Sequence, residues 1–120
     1  SQRGRIAAVQ SWNLLELEMA EGSRSPIVLH SHDEARAVLI GLNPGQALGD
    51  HQVHENAWLV VVDGQVEVGS GEETVEAGAG TLFRFDAHER HRVASRGGAR
   101  ILLLLAPWPG AGHYRGSATV

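Results

Sequence analysis

Two short histidine-bearing segments are the part of this sequence whose residue types can do chemistry. His51 and His54 lie on the first segment, and His88 and His91 lie on the second. Neutral imidazole is a ligand for Zn, Cu, Fe or Ni, and it also moves protons near neutral pH. If the fold brings the segments together, these side chains predict a histidine-rich pocket that binds a divalent metal.

A carboxylate beside the first segment extends this candidate site. Glu55 with two histidines would form a two-histidine, one-carboxylate set, which leaves coordination positions open for oxygen chemistry. Strand alternation turns His54 away from the face of His51, and we expect Glu55 to face solvent. A bulge would admit one extra residue and turn His54 or Glu55 inward, so both orientations stay open. His88 lies in a predicted turn, where alternation does not fix its direction.

Aromatic and acidic neighbours would line or support the pocket. Phe83 and Phe85 alternate along one predicted strand and share a face, which we assign to the core and the pocket. Trp58 either lines the pocket or packs on the outer face of its sheet. Asp86 and Glu89 flank the second histidine segment. Either carboxylate can accept a hydrogen bond from a metal-bound imidazole and so hold it in one tautomer.

The pattern around these segments predicts an all-β fold. Asp63-Gly64 between two alternating apolar runs is a strong hairpin signal, and we expect this hairpin to bring the histidine segments onto one sheet. Strand-plus-turn units of about 8–12 residues are typical of an antiparallel sandwich or barrel. The predicted strands span residues 27–30, 35–42, 47–51, 57–62, 65–69, 72–76, 80–85, 91–95 and 100–105.

The two ends of the chain have less regular patterns. Residues 1–10 form an arm or a first strand, and residues 12–20 form either a short helix capped by Ser11 or a further strand. The proline-containing tail cannot continue a central strand, so it packs across the outside or against a partner subunit. Trp108 in this tail would be exposed unless a partner covers it, which favours a homodimer. The apolar run at 102–105 predicts a strand buried on both faces.

Composition narrows the class of protein. The chain has 120 residues, enough for one domain with a hydrophobic core, and a formal net charge of −4. Without a basic cluster, nucleic acid and anionic membranes are disfavoured as partners. Cysteine is absent, which excludes disulfide and thiolate chemistry. The longest apolar run is too short to span a bilayer and no signal peptide is visible, so we expect a cytoplasmic protein.

Two glycine-anchored histidines resemble the motifs of the cupin superfamily. The first cupin motif, G-x5-H-x-H-x3/4-E-x6-G, is matched by Gly45, His51 and Gly64. The second motif, G-x5-P-x-G-x2-H-x3-N, is matched in length from Gly80 to His91. The sequence therefore resembles a small single-domain cupin.

The resemblance covers residues 35–106 and implies three parts within one domain. These are an arm with the first strands at 1–34, a barrel at 35–106 and a tail at 107–120. The implied fold is a cupin-type jelly roll, or double-stranded β-helix barrel of the RmlC-like type, with an N-terminal arm or short helix. Small barrels hold one ligand in the mouth, so the implied partner is a small molecule.

The sequence departs from the family at half of the implied metal-ligand positions. These four positions fall on His51, Val53, Ala57 and His91. A divalent Zn, Fe, Mn, Ni or Cu ion at the two histidines would therefore need a further ligand of another kind. The candidates for that ligand are His54, His88 and Glu55.

A competing register exists earlier in the chain. His30 and His32, followed by Glu34 and Gly41, also match part of the first motif. This segment lacks the preceding glycine, and no second motif follows at the right distance. We therefore expect His30 and His32 to be exposed loop residues, and His113 to lie on the surface.

Three functional hypotheses remain, because fold alone does not determine function. The first is a cupin that binds a divalent metal and a small molecule; if it is an enzyme, it is a metal-dependent oxidoreductase or isomerase. The second is a metal-free cupin that binds or senses a small ligand without catalysis. The third is an acid–base enzyme in which His51 or His91 moves a proton without a metal. We rank the metal-associated cupin first.

Overall fold

The described part of the chain contains eight antiparallel β-strands. The computed structural model describes residues 9–19, 26–32 and 34–110, with residues 50 and 51 described by their backbone alone. No residue in these ranges is helical, and the same ranges contain no helix that could cross a membrane. The strands are β1 (Ile27–Ser31), β2 (Arg36–Leu42), β3 (Ala47–His51), β4 (Asn56–Ser70), β5 (Glu73–Gly78), β6 (Leu82–Phe85), β7 (His91–Ala94) and β8 (Ala99–Ala106).

The strands form two sheets that share one long strand. The first sheet has the order β1-β2-β8-β4, with β6 on the other side of β4. The second sheet joins β3, β7, β4 and β5. Because β4 runs through both sheets, the structure curls into a half-closed barrel. This architecture confirms the predicted all-β jelly roll.

The predicted hairpin at Asp63-Gly64 is wrong, because β4 continues through it. Gly64 has a φ of 82° and follows a register shift between Val61 and Asp63. A Cβ at Gly64 would lie 2.2 Å from the carbonyl oxygen of Gly98, so only glycine fits. A positive φ at glycine serves a β-bulge as well as a hairpin, and the local sequence does not distinguish the two. The chain reverses instead at Gly71, between β4 and β5.

Alternation along the strands places one set of side chains inside the barrel. Ala57, Leu59 and Val61 of β4 are buried there, and a buried valine or leucine contributes about 1.5–3 kcal/mol. On the opposite face of β8, Leu102 and Leu104 are only half-buried. The predicted burial of this strand on both faces is therefore wrong, because the described part of the chain covers that outer face incompletely.

The N-terminal segment forms neither of the predicted elements within residues 12–19. It contains one turn, in which the Asn13 carbonyl accepts hydrogen bonds from the amides of Glu16 and Leu17. The Asn13 side chain binds the Leu15 amide, and such local bonds compete with helix formation. The predicted helix or strand is therefore wrong over these residues. A hydrogen bond of 2.7 Å from Arg100 to the Leu14 carbonyl holds the segment against β8 as an arm.

The tail turns back onto the barrel after β8. Trp108 is 4% exposed and belongs to the hydrophobic core, and the Arg36 guanidinium lies 4.5 Å from the centre of its ring. The predicted exposure of Trp108 is therefore wrong, because its own chain covers it. The homodimer loses this support and stays a prediction. Residues 111–120, including His113, lie outside the described residues.

Candidate functional site

The pairing of β3 with β7 brings the two histidine segments together. The ladder sets residue 51 opposite residue 91, after a register shift between Leu48 and His51. Residues directly opposite each other in an antiparallel pair have Cβ atoms about 4.5–5.5 Å apart. The predicted meeting of the segments therefore occurs through two strands that are distant in sequence rather than through a hairpin.

His91 is buried and its ring is held from two sides. The residue is 1% exposed, and its imidazole stacks on the ring of Phe85 with centroids 4.2 Å apart and an interplanar angle of 10°. His91 Nδ1 lies 3.3 Å from the carbonyl oxygen of Glu89. Because a carbonyl oxygen can only accept, this contact places a proton on Nδ1, and Nε2 is then the unprotonated nitrogen of the neutral ring.

A hydrogen-bonded turn fixes the Glu89 carbonyl behind His91. The Glu89 carboxylate accepts hydrogen bonds from the Asp86 amide at 2.9 Å and from the Ser70 hydroxyl at 2.8 Å. The Asp86 carboxylate pairs with Arg84. The two acids predicted to support an imidazole thus make other contacts, and the backbone of Glu89 contacts His91 instead.

His54 and His88 form a separate pair on the surface. Both residues are exposed, and their rings meet edge to face with centroids 5.0 Å apart and an interplanar angle of 83°. The His88 amide donates a 2.8 Å hydrogen bond to the Val53 carbonyl, which joins the two loops. His88 has a φ of 68°, a left-handed conformation uncommon for residues other than glycine.

Glu55 is buried, so the expectation that it faces solvent is wrong. It is 1% exposed, and its Oε2 accepts a 2.7 Å hydrogen bond from the Gly110 amide. Side chains point alternately inward and outward from Val53 to Ala57. Glu55 lies two residues from each of these buried residues and therefore points inward with them. The contact with Gly110 offsets the cost of burying a polar group and fastens the tail to the barrel.

The remaining predicted pocket residues lie on different faces. Phe85 is buried in the core, and Phe83 is partly buried against it. Trp58 lies on the opposite face of β4 from Ala57, with the Arg84 guanidinium 5.5 Å from its ring centre. Of the two orientations left open for Trp58, the structure therefore has the outer one.

Comparison with protein families decides the classification. The family model described as the cupin domain matches residues 38–106. The chain belongs to the cupin family. Comparison with curated protein sequences finds no match.

Solved structures agree with this cupin fold. An uncharacterized conserved protein with a double-stranded β-helix domain from Klebsiella pneumoniae has a TM-score of 0.76 at 18% identity, over 86% of this chain and 94% of that one. An RmlC-like cupin from Desulfovibrio desulfuricans has a TM-score of 0.75 at 23% identity, over 83% and 98%. A cupin superfamily protein from Desulfitobacterium hafniense has a TM-score of 0.72 at 14% identity, over 78% and 85%. At these identities the likeness establishes the fold alone.

This cupin differs from the family motif at two buried positions. Val53 is 3% exposed and Ala57 is fully buried, so apolar side chains stand where the motif has its second histidine and its glutamate. Among the described side chains, which do not include that of His51, no three histidine, aspartate or glutamate residues form a group that could hold a metal. The histidine pair 51 and 91 is thus the part of the motif that persists in this cupin.

Several contacts of the site were missed by sequence reasoning. Gly110 binds Glu55 across 55 residues of sequence, and Ser70 binds Glu89 across 19. Arg36 covers Trp108 from β2. No short-range pattern identifies such partners, because each depends on how distant strands and the tail pack.

Proposed function

We propose that this cupin binds a divalent metal ion and a small molecule inside the barrel, with His91 and the opposed residue His51 as the protein ligands. The ions that suit imidazole nitrogen are Zn, Fe, Ni and Cu, and Mn is the further candidate. The proposal assigns binding and no reaction to the site.

The orientation of His91 carries the proposal. Histidines that bind metals almost always donate the other ring N–H to a carbonyl, carboxylate or water, which fixes the tautomer and the ring orientation. His91 has this arrangement, with Nδ1 facing the Glu89 carbonyl and the ring stacked on Phe85. Nε2 is therefore the ligand atom, and the buried ring loses little conformational freedom when an ion binds.

Two protein nitrogens leave coordination positions for water and a ligand. A metal at such a site supplies a Lewis acid that polarises a bound oxygen or nitrogen. Phe85 stacks on the buried ring of His91, and Val53 and Ala57 belong to the same hydrophobic core as Phe85. We therefore expect a small molecule with an apolar body and one polar group for the metal, as is common for pockets of this kind.

Calorimetric titration of the variants tests the metal ligands. His91→Gln and His51→Gln should each weaken Zn²⁺ or Mn²⁺ binding at the interior site by about tenfold or more, because losing a ligand costs at least as much as losing a supporting residue. His32→Gln is the matched control, since His32 is exposed and lies outside the site. Circular dichroism checks that each variant is folded, and wild-type affinity in both ligand variants would refute the proposal.

A second candidate function, metal-free binding of a small ligand, is favoured by one observation. Val53 and Ala57 replace two ligand positions of the motif with buried apolar side chains. If the protein binds a small ligand without a metal, His91 donates a hydrogen bond to the ligand or accepts one from it. Native mass spectrometry of the purified protein should then reveal a bound small molecule without a metal.

A further inference from the structure

Arg36 points into the barrel at the end that holds His91. Arg36 stands directly opposite Leu105 in the pairing of β2 with β8, and Leu105 is buried in the core. Leu105 in turn stands opposite Ala57, and Ala57 stands opposite Phe85. Because residues directly opposite each other in antiparallel strands share a face, these four residues form one inward row. The ring of His91 stacks on Phe85, so Arg36 and His91 face the same interior.

The guanidinium of Arg36 lacks an acceptor for its buried donor. It lies 4.5 Å from the centre of the Trp108 ring, which attracts its charge but supplies no oxygen atom. Its Nε is buried and has no hydrogen-bond partner among the described residues. Neither of the two ion pairs between described residues includes Arg36, although the buried Glu55 carboxylate lies at the same end of the barrel. The described part of the chain therefore supplies no counter-ion to this partly buried charge.

Two other partly buried arginines provide a contrast. The guanidinium of Arg92 donates a 3.1 Å hydrogen bond to the carbonyl of Gly71. The guanidinium of Arg100 donates a 2.7 Å hydrogen bond to the carbonyl of Leu14. Buried polar atoms without a partner are rare, and an ion or a water that completes them is a common explanation. For a cationic side chain such as Arg36, an anion would complete both the hydrogen bond and the charge.

We propose that Arg36 binds the carboxylate of the small molecule inside the barrel, so that the ligand is an organic acid. This inference rests on the proposed function for the place of the small molecule, and it adds the chemical class. The N–H groups on one edge of a guanidinium match the two oxygens of a carboxylate and bind both at once. Turning Nε–H of Arg36 onto a carboxylate breaks no hydrogen bond, because Nε makes none with the described residues.

The inward row also limits the size and charge of this acid. Three strand spacings separate Arg36 from Phe85, about 14 Å along the sheet, and the two side chains extend inward and shorten this gap. A small molecule fits between them, with the carboxylate at Arg36 and any further polar group turned towards His91. A monocarboxylate matches the single charge of Arg36, whereas burying the larger charge of a phosphate group costs more.

Titration of the metal-free protein with benzoate as the probe tests the carboxylate, and its neutral amide, benzamide, is the matched ligand. Correlation spectra of the ¹⁵N-labelled protein follow the Nε–H signal of Arg36. Benzoate should shift this signal saturably, and benzamide should bind about tenfold more weakly or less, because a hydrogen bond between charged groups is stronger.

Arg36→Met separates binding from folding. Methionine keeps an unbranched apolar side chain beside Trp108 and removes the buried donor that has no partner, so the melting temperature should stay close to that of the wild type. The affinity for benzoate should fall by about tenfold or more. Arg36→Lys keeps the charge without the paired donors, and its affinity should lie between these two values.

Arg84→Met is the matched control. The Arg84 guanidinium also lies over an indole, 5.5 Å from the centre of the Trp58 ring, but on the outer face of the sheet. This variant should bind benzoate like the wild type. Equal affinities for benzoate and benzamide, or equal affinities in Arg36→Met and the control, would overturn the proposal. It would also be overturned by a protein that binds inorganic phosphate in place of benzoate, or one that binds neither.

Titration of the same variants with Zn²⁺ distinguishes this inference from the proposed function. Arg36→Met should bind Zn²⁺ like the wild type, and metal-free His91→Gln should still show the benzoate shift at Arg36. A chain that binds Zn²⁺ through His91 but does not bind benzoate keeps the metal site and loses the carboxylate site. Binding of benzoate at Arg36 without binding of Zn²⁺ removes only the metal site.

Discussion

The contact between Glu55 and Gly110 allows a quantitative test of how the tail is held. Both residues are buried, and the 2.7 Å hydrogen bond joins the loop before β4 to the segment after β8. Glu55→Ala leaves the Gly110 amide without this acceptor, which costs about 1–3 kcal/mol, and removes buried methylene surface worth about 0.8 kcal/mol. We therefore expect Glu55→Ala to lower the free energy of unfolding by about 2–4 kcal/mol.

Glu55→Gln keeps the hydrogen-bond acceptor and the size of the side chain. The amide oxygen of glutamine can still accept from the Gly110 amide, so the loss should not exceed the net value of one hydrogen bond, about 1 kcal/mol. Urea unfolding followed by tryptophan fluorescence gives both values. With a slope of about 2 kcal/mol per molar urea, the midpoint of Glu55→Ala should fall by about 1–2 M.

The matched control is Glu76→Ala, because Glu76 is exposed on β5 and its loss should change stability by less than about 0.5 kcal/mol. Hydrogen exchange provides a second readout, in which the Gly110 amide of the wild-type protein should be protected. An unprotected Gly110 amide, together with equal midpoints for Glu55→Ala and the control, would show that Glu55 does not hold the tail.

Two further substitutions test the packing that surrounds the site. Trp108→Ala should cost about 3–5 kcal/mol in urea unfolding, because the indole is buried in the core, and a loss below about 1 kcal/mol would mean that the tail does not pack there. Gly64→Ala should lower the melting temperature markedly, since φ is 82° and a Cβ would meet the Gly98 carbonyl. Gly49→Ala is its control, with no atom within 4 Å of the added Cβ, and equal melting temperatures for the two would contradict the bulge described for β4.

The local pattern of apolar residues and turn residues was sufficient to predict most of the strands. β3 has the predicted bounds, and β2 and β8 begin or end within one residue of them. Alternation of apolar side chains determines these strands, since one face of each is buried whatever the topology. The opposition of residues 51 and 91 was anticipated as a meeting of two segments, although through a hairpin that does not form.

The errors arose where a partner from elsewhere in the chain decides the outcome. Asp63-Gly64 is compatible with a hairpin and with a bulge, and the close approach of Gly98 selects the bulge. A glutamate such as Glu55 is usually exposed, and here the Gly110 amide supplies the hydrogen bond that allows its burial. Trp108 lies in a proline-containing tail that the sequence places on the surface, yet its side chain packs in the core of its own chain. In each case the local sequence is compatible with two conformations or environments, and contacts with distant residues determine which one forms.

Elemental analysis of the untagged protein and of its His91→Gln variant, each purified without added metal, tests the metal site most directly. His91→Gln keeps the exposed histidines, so an ion that this variant retains does not depend on His91. We expect near-stoichiometric Zn, Fe, Mn, Ni or Cu in the unsubstituted protein and loss of that ion in His91→Gln. An unsubstituted protein that stays free of metal after incubation with each of these ions would show that the barrel holds no metal site.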